Sequence, residues 1–309
     1  MLTPAVTVLG PQRQPTLGRV LAKLSTDGPI AAINAGWQER EGDDAELMAL
    51  LGDRGRNLRL HARWFDALQA DPEYATAERE HRVVLDQVQQ LYLLRLDHAL
   101  RATYGVLQRA EPHPRTRDAA AADALEIVRL IDATHVQRIR ELHDAFVEAW
   151  SPAARYTFAG HVAEVAEQLS QAGCLVMAGG HVGELLWLLE VFDVARHLPA
   201  QVVAWSGGAM VLTERIVLFH DRVAHGPAQA EVLNRGLGLL RDVVLLPHAR
   251  RRLRTDDPVR MSVLARRFAP ARCVVLDDGV TLDLGRDSTL PADARVVTVD
   301  GRITTQDAA

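Results

Sequence analysis

Short apolar runs that end in small residues, each followed by a helix-patterned segment, constrain the fold of this chain more than any other feature. The pattern begins with AVTVL at 5–9 and IAAIN at 30–34, and it resumes with CLVMAGG at 174–180 and QVVAWSGG at 201–208. Buried parallel strands read as continuous apolar runs, and helices connect them. We therefore predict an α/β fold, a mostly parallel sheet flanked by helices in a three-layer sandwich.

The alternation stops in the middle of the chain, where apolar residues recur at intervals of three or four. Such spacing predicts helices, one over Leu85–Ala99 and another over Leu125–Phe146. We expect a helical insertion at 56–150 within an α/β domain made of residues 1–55 and 151–309. Near the C-terminus, CVVLDDGVTLDLG and ARVVTVDGRITTQ are predicted to form closing hairpins.

Composition narrows the functional classes. The 309 residues carry a net charge of -5, which does not favour nucleic acid or an anionic membrane as a partner. No apolar run approaches the ~20 residues of a membrane span, and the N-terminus lacks the features of a signal peptide. The two cysteines, Cys174 and Cys273, begin apolar runs, which fits buried thiols in a reducing compartment. We expect a cytoplasmic protein.

Motifs for common cofactors are missing from the sequence. The glycine-rich loops depart from the GxGxxG and GxxxxGK[ST] patterns, and the histidines of the helical segment show no HxxxH or HExxH spacing. We therefore expect no cofactor and no metal site.

The turn WSGGAM contains the first candidate catalytic residue, Ser206. A nucleophile on a sharp strand-to-helix turn needs small neighbours, which Gly207 and Gly208 supply. The amide of Gly207 would then stabilise an oxyanion at the helix N-terminus. The alternative is a structural turn whose serine caps the helix.

Gly179, Gly180 and His181 form a second strand end, in VMAGGHVGELL. The bare backbone suits a second oxyanion donor at Gly180 or an anion cradle. A tight turn is the structural alternative, and His181 either helps to bind substrate or caps the next helix.

His248 ends a third apolar run, in VVLLPHARRRL, where a general base would stand. Asp277 and Asp278, in LDDGVTL, offer the acid that would orient it. The order Ser, His, Asp differs from the Ser, Asp/Glu, His order of α/β-hydrolases. The arginines after the histidine either bind a substrate carboxylate or form a solvated helix face; they are Arg250, Arg251, Arg252 and Arg254.

Together, AGGHVGELL, WSGGAM, LLPHARRRL and LDDGVTL resemble, in the same order, the serine-peptidase branch of the class I glutamine amidotransferase-like fold, which contains cyanophycinase and aspartyl dipeptidase. The resemblance implies a flavodoxin-like three-layer sandwich. It also implies a serine nucleophile, a histidine base, an acid in the LDDG strand and two backbone oxyanion donors. On this sequence those roles fall on Ser206, His248, Asp278 (with Asp277 before it), Gly180 and Gly207.

The resemblance implies a serine hydrolase or peptidase that cleaves a small peptide or amide. The stretch LLPHARRRL lacks the acidic and aromatic residues that flank the family histidine, and the helical segment has no counterpart in the small peptidases. Two alternatives therefore stand: a degenerate member that acts as a binding or assembly protein, with the helical segment as a partner or homodimer surface, and a scaffold recruited to another acyl-transfer or peptide-tailoring reaction.

Overall fold

The computed structural model describes residues 3–13, 15–24, 26–111, 113–220 and 229–308. Its strands are β1 (Ala5–Leu9), β2 (Ile30–Ile33), β3 (Gly55–Asn57), β4 (Cys174–Met177), β5 (Gln201–Trp205), β6 (Ile216–Leu218), β7 (Glu231–Asn234), β8 (Val243–Pro247), β9 (Arg272–Leu276), β10 (Thr281–Gly285), β11 (Arg295–Val297) and β12 (Ile303–Thr305). Its α-helices are α1 (Leu17–Leu21), α2 (Ala45–Leu51), α3 (Leu60–Ala70), α4 (Pro72–Leu107), α5 (Pro114–Trp150), α6 (Tyr156–Gln171), α7 (Val182–Val191), α8 (Gly207–Met210), α9 (Ala249–Arg252) and α10 (Pro258–Phe268).

The central sheet has the strand order β10-β1-β5-β4-β2-β3. Strands β1, β5, β4, β2 and β3 are parallel to their neighbours, and β10 adds an antiparallel edge. All four residues of β4 are buried, as the continuous apolar run CLVM predicts for a strand covered on both faces. The predicted α/β class with a mostly parallel sheet is confirmed.

Helices cover both faces of this sheet and complete three layers. Cys174 and Val176 pack with α1 and α2 on one face. Leu175 and Met177, which alternate with them along β4, pack with α3, α6 and α7 on the other. Alternate residues of β4 thus face different helices, so the strand is covered on both sides.

The middle of the chain forms a helical hairpin of α4 and α5, with 36 and 37 residues. At one end, Tyr74 and Phe146 enter the core of the main sheet. Farther along, Tyr92, Leu96 and Leu125 pack into a second core with β6–β9 and α10. The hairpin therefore touches both parts of the α/β structure. The division into a domain and an insertion at 56–150 stays a prediction. Within the described residues no helix is long and apolar enough to cross a bilayer.

A second sheet, in the order β12-β11-β9-β8, carries the strand that precedes His248. The antiparallel β11–β12 hairpin confirms the prediction for ARVVTVDGRITTQ. The prediction of a hairpin in CVVLDDGVTLDLG is wrong, because β9 pairs with β8 and β11 while β10 pairs with β1. The chain crosses between the sheets at Asp277–Gly279. Gly10, after β1, donates to Val280 O at 2.8 Å and so draws β10 to the main sheet.

Candidate active site

Ser206 stands immediately after β5, in the middle of the main sheet, with φ 51° and ψ -123°. A residue other than glycine rarely adopts a positive φ, and such strain concentrates at functional sites. The Ser206 side chain makes no capping hydrogen bond to α8, whose length is four residues. The turn is therefore a strained elbow rather than a helix cap.

The loop between β4 and α7 packs directly on this elbow. A Cβ added to Gly179 would lie 2.8 Å from Ser206 Cβ and 3.1 Å from its Oγ, so only glycine fits there. Gly180 has φ +130° and touches Gly207, where an added Cβ would lie 3.0 Å from Gly180 O. The amide of His181 donates to Gly36 O at 2.7 Å and holds the loop in place.

Gly180 and Gly207, the two predicted oxyanion donors, are thus brought together beside Ser206. Between described residues, neither amide donates a hydrogen bond to a backbone carbonyl. Gly180 is exposed, and Gly207 begins α8, where the helix leaves its first amides without intrahelical partners. Both amides can therefore serve an anionic ligand at the elbow.

His248 follows β8 in a left-handed conformation, with φ 59° and ψ 31°, and is half-buried. Burial lowers its pKa, and the nearby charge of Arg252 lowers it further, while Asp278 acts in the opposite direction. The ring is therefore neutral at pH 7, as a general base requires. Helix α8 packs against β8, but no hydrogen bond among the described residues joins Ser206 Oγ to the His248 ring.

The two aspartates of LDDG have different surroundings. Asp277 is buried, accepts a hydrogen bond from the Arg250 amide at 3.1 Å and lies 3.4 Å from the Arg250 guanidinium. Asp278 is exposed, and its charge raises the pKa of His248. Asp277 thus holds the start of α9, whereas Asp278 is the carboxylate with an electrostatic influence on the histidine.

Ser206 opens into a cavity of about 250 Å³. We call it the Ser206 cavity; its other described lining residues are Gly180, Val182, Gly207, Met210, Leu218, Phe219, His220, Gln229, Glu231 and Arg252. His220 is largely exposed, and partial desolvation of its ring together with the charge of Arg252 lowers its pKa. Arg252 is in turn half-buried, and burial lowers its pKa.

Sequence reasoning missed His220 and Glu231 as lining residues of this cavity, whereas Arg252 belongs to the basic stretch that it had considered for carboxylate binding. His220 ends the apolar stretch IVLF, so the strand-end signal was present in the sequence. Arg250, the predicted binding residue, has an exposed side chain that pairs with Asp277. His181 accepts a hydrogen bond from Glu184 N at 3.0 Å through Nδ1, so the capping alternative describes its contact.

Comparisons with known proteins identify no family for this chain but find similarity to a solved structure. No family model matches it, and no curated protein does. Among solved structures it is similar to a peptidase from an acI-B1 Actinobacterium, with a TM-score of 0.47 and 12% sequence identity. That alignment covers 98% of this chain and 95% of the other.

Proposed function

We propose that this protein is a serine hydrolase of small peptides or amides, with Ser206 as its nucleophile. The observation that carries the proposal is the strained Ser206 backbone against the Gly179-Gly180 loop. Acyl transfer uses a serine that is free to attack and amide donors that are free to hold an oxyanion. Ser206 caps no helix, is held at φ 51°, and lies beside two amides that donate to no backbone carbonyl of the described residues.

In the proposed mechanism, Ser206 Oγ attacks the substrate carbonyl while His248 takes its proton. His248 then returns the proton to the leaving amine as the C–N bond breaks, which leaves the acyl group on Ser206. A water molecule, deprotonated by His248, hydrolyses this ester and restores the serine, and Asp278 favours the protonated imidazole by its charge. The amides of Gly180 and Gly207 hold the oxyanion of the tetrahedral intermediate. The mechanism needs a hydrogen bond from Ser206 Oγ to the His248 ring, and we propose that it forms in the substrate complex, since catalytic hydrogen bonds are often long or poorly aligned without substrate.

The position of Arg252 favours a substrate that carries a carboxylate. Arg252 lines the Ser206 cavity, and no acidic group among the described residues acts on its charge. Arginine pairs bidentately with carboxylates, and partial burial strengthens that attraction. We expect acidic or aspartyl-containing peptides to be better substrates than neutral ones. Arg252→Gln should raise KM for the acidic peptides at least tenfold and leave KM for neutral ones unchanged.

The test is covalent labelling with a fluorophosphonate, followed by peptide mass spectrometry. Wild-type protein should be modified at Ser206, and Ser206→Ala should not react. His248→Gln should slow labelling at least 100-fold, whereas His220→Gln should slow it less than tenfold. If His220→Gln is the slower variant, the base role passes to His220. Absence of labelling at Ser206 in folded wild-type protein refutes the hydrolase proposal.

A binding or assembly role is the second candidate, supported by apolar side chains on the hairpin surface. Leu91, Leu94, Ile127 and Leu130 are each more than half exposed. Such exposure over neighbouring helices marks contact surfaces. Analytical ultracentrifugation of wild type and Leu91→Gln/Leu130→Gln tests this: a homodimer that the double variant converts to monomer supports it, and a monomeric wild type contradicts it.

A further inference from the structure

A second cavity, of about 240 Å³, lies between the α4–α5 hairpin and α7. Val182 lines the Ser206 cavity, whereas its neighbours His181 and Gly183 line this one. The two cavities therefore lie on either side of the start of α7. We call the second one the hairpin cavity; its principal lining residues are His81, Arg82, His143, Trp187, Glu190 and Leu233.

Aromatic rings form one wall of the hairpin cavity. The His143 and Trp187 rings stack with their centroids 5.5 Å apart, and His81 Nε2 lies 3.2 Å from His143 Nδ1. Burial lowers the pKa of His143 to about 4 and also lowers that of His81. Both imidazoles are therefore neutral at pH 7, so this wall adds no positive charge.

The charges at the two ends of the hairpin cavity differ. At one end Arg82 is compensated by Glu184 at 2.6 Å and by the buried Glu78 at 2.8 Å. At the other end Glu190 has part of its surface in solvent, but protein surrounds its carboxyl group, which has no hydrogen-bond or ion-pair partner among the described residues. The charged group that acts on its carboxyl is another acid, Asp144. The Glu190 end therefore has unbalanced negative potential.

We propose that the hairpin cavity binds a primary ammonium on a small aromatic body, with the ammonium against Glu190 and the ring against Trp187 and His143. An ammonium beside a carboxylate and over an aromatic face gains both Coulomb and cation–π attraction, and partial desolvation strengthens each. This site is separate from Ser206 and does not depend on the proposed hydrolase function.

Binding should be coupled to a proton. Enclosure by protein and the charge of Asp144 raise the pKa of Glu190 to about 7, so at pH 6 most of the carboxyl is protonated. An ammonium favours the ionised form, so binding releases a proton at low pH and the affinity rises about tenfold from pH 6 to pH 8. The other titratable or charged groups facing the cavity are His81, Arg82, Asp86, His143, His181 and Glu184, with Asp144 close by.

Isothermal titration calorimetry with benzylamine, and with benzyl alcohol as its uncharged counterpart, tests the proposal. Wild type should bind benzylamine with 1:1 stoichiometry, and near pH 6 buffers of different ionisation enthalpy should reveal the release of nearly one proton. Glu190→Gln should weaken binding at least tenfold and abolish the proton release, whereas Glu46→Gln, on the exposed surface of α2, should change neither.

Three results would overturn the proposal: no benzylamine binding by folded wild type at millimolar concentration, equal affinity in Glu190→Gln, or equal affinity for benzyl alcohol. Circular dichroism and the thermal midpoint of each variant verify that it is folded. A weakened Glu190→Gln with a native midpoint therefore reports on the site and not on stability.

Discussion

The buried ion pair between Asp132 and Arg267 joins the hairpin to the α/β structure, and its disruption should destabilise the whole chain. Arg267 Nη2 and Nε donate to the two Asp132 oxygens at 2.6 and 2.7 Å, and both side chains are nearly inaccessible. Tyr92 OH donates to Asp132 at 2.9 Å and accepts from Val232 N at 2.9 Å. The group thus links α4, α5, α10 and β7.

Asp132→Asn leaves the Arg267 guanidinium buried without a counter-charge. Breaking one side of a buried pair costs about 3–5 kcal/mol, because the remaining charge stays desolvated. We expect the free energy of unfolding to fall by about 3 kcal/mol, since asparagine keeps one acceptor. At roughly 2–4 °C per kcal/mol, the thermal midpoint should fall by roughly 6 °C or more.

Urea unfolding followed by circular dichroism measures the loss, with Asp43→Asn as the control. Asp43 forms an ion pair with Arg40 in which both side chains are largely exposed, so its replacement should leave the midpoint unchanged. The double variant Asp132→Leu/Arg267→Met should recover at least half of the loss, because it removes both buried ions. A loss below about 1 kcal/mol in Asp132→Asn, or no recovery in the double variant, would refute this reasoning.

Three further predictions concern the elbow and the buried histidines. Gly179→Ala should slow fluorophosphonate labelling at least 100-fold with native circular dichroism, since its Cβ would displace Ser206, while Gly105→Ala, in open space, should label normally. The rate of labelling should fall as the pH drops, with a midpoint below 6.5 that reports protonation of His248; a midpoint above 6.5 would contradict its lowered pKa. The pKa of His143 is about 4 in the folded protein and 6.5 in the unfolded chain, so the unfolded chain takes up a proton first as the pH falls. The free energy of unfolding should therefore decrease by roughly 3 kcal/mol between pH 6.5 and pH 4 and should not change through this group above pH 6.5. Urea unfolding of His143→Gln should show a correspondingly weaker dependence of stability on pH.

The parts of the site that sequence reasoning located are those defined by local sterics. Both turns need small residues directly after a strand, because larger side chains would clash there. That requirement is visible in VMAGG, which contains Gly179, and in WSGGAM, which contains Ser206 and Gly207. The strand register then brings the two turns together, because β4 and β5 are parallel neighbours in the sheet. The sequence predicted that both turns lie at carboxyl ends of strands, whereas the pairing of β4 with β5 that brings them into contact comes from the structure.

Long-range pairing was not visible in the same way. The segment LDDGVTL has the turn residues of a hairpin, yet β9 and β10 enter different sheets because β10 finds the open edge of β1. His220 and Glu231 reach the Ser206 cavity from β6 and β7, a separate two-stranded sheet. Apolar patterning specifies that such strands are buried but does not specify which partner each one meets.

Two arginines of the basic stretch were equal candidates for binding a substrate carboxylate, and one local contact distinguishes them. Arg250 and Arg252 are two positions apart on α9, so their side chains point about 200° apart and only one of them can face the Ser206 cavity. Asp277 accepts the Arg250 amide and also approaches its guanidinium, which commits Arg250 to the LDDG side. Because Arg250 points toward Asp277, Arg252 points to the opposite side of α9, toward the Ser206 cavity. On this reasoning Asp277 acts as a positioning residue for Arg252, and this leaves Asp278 as the acid able to act on His248.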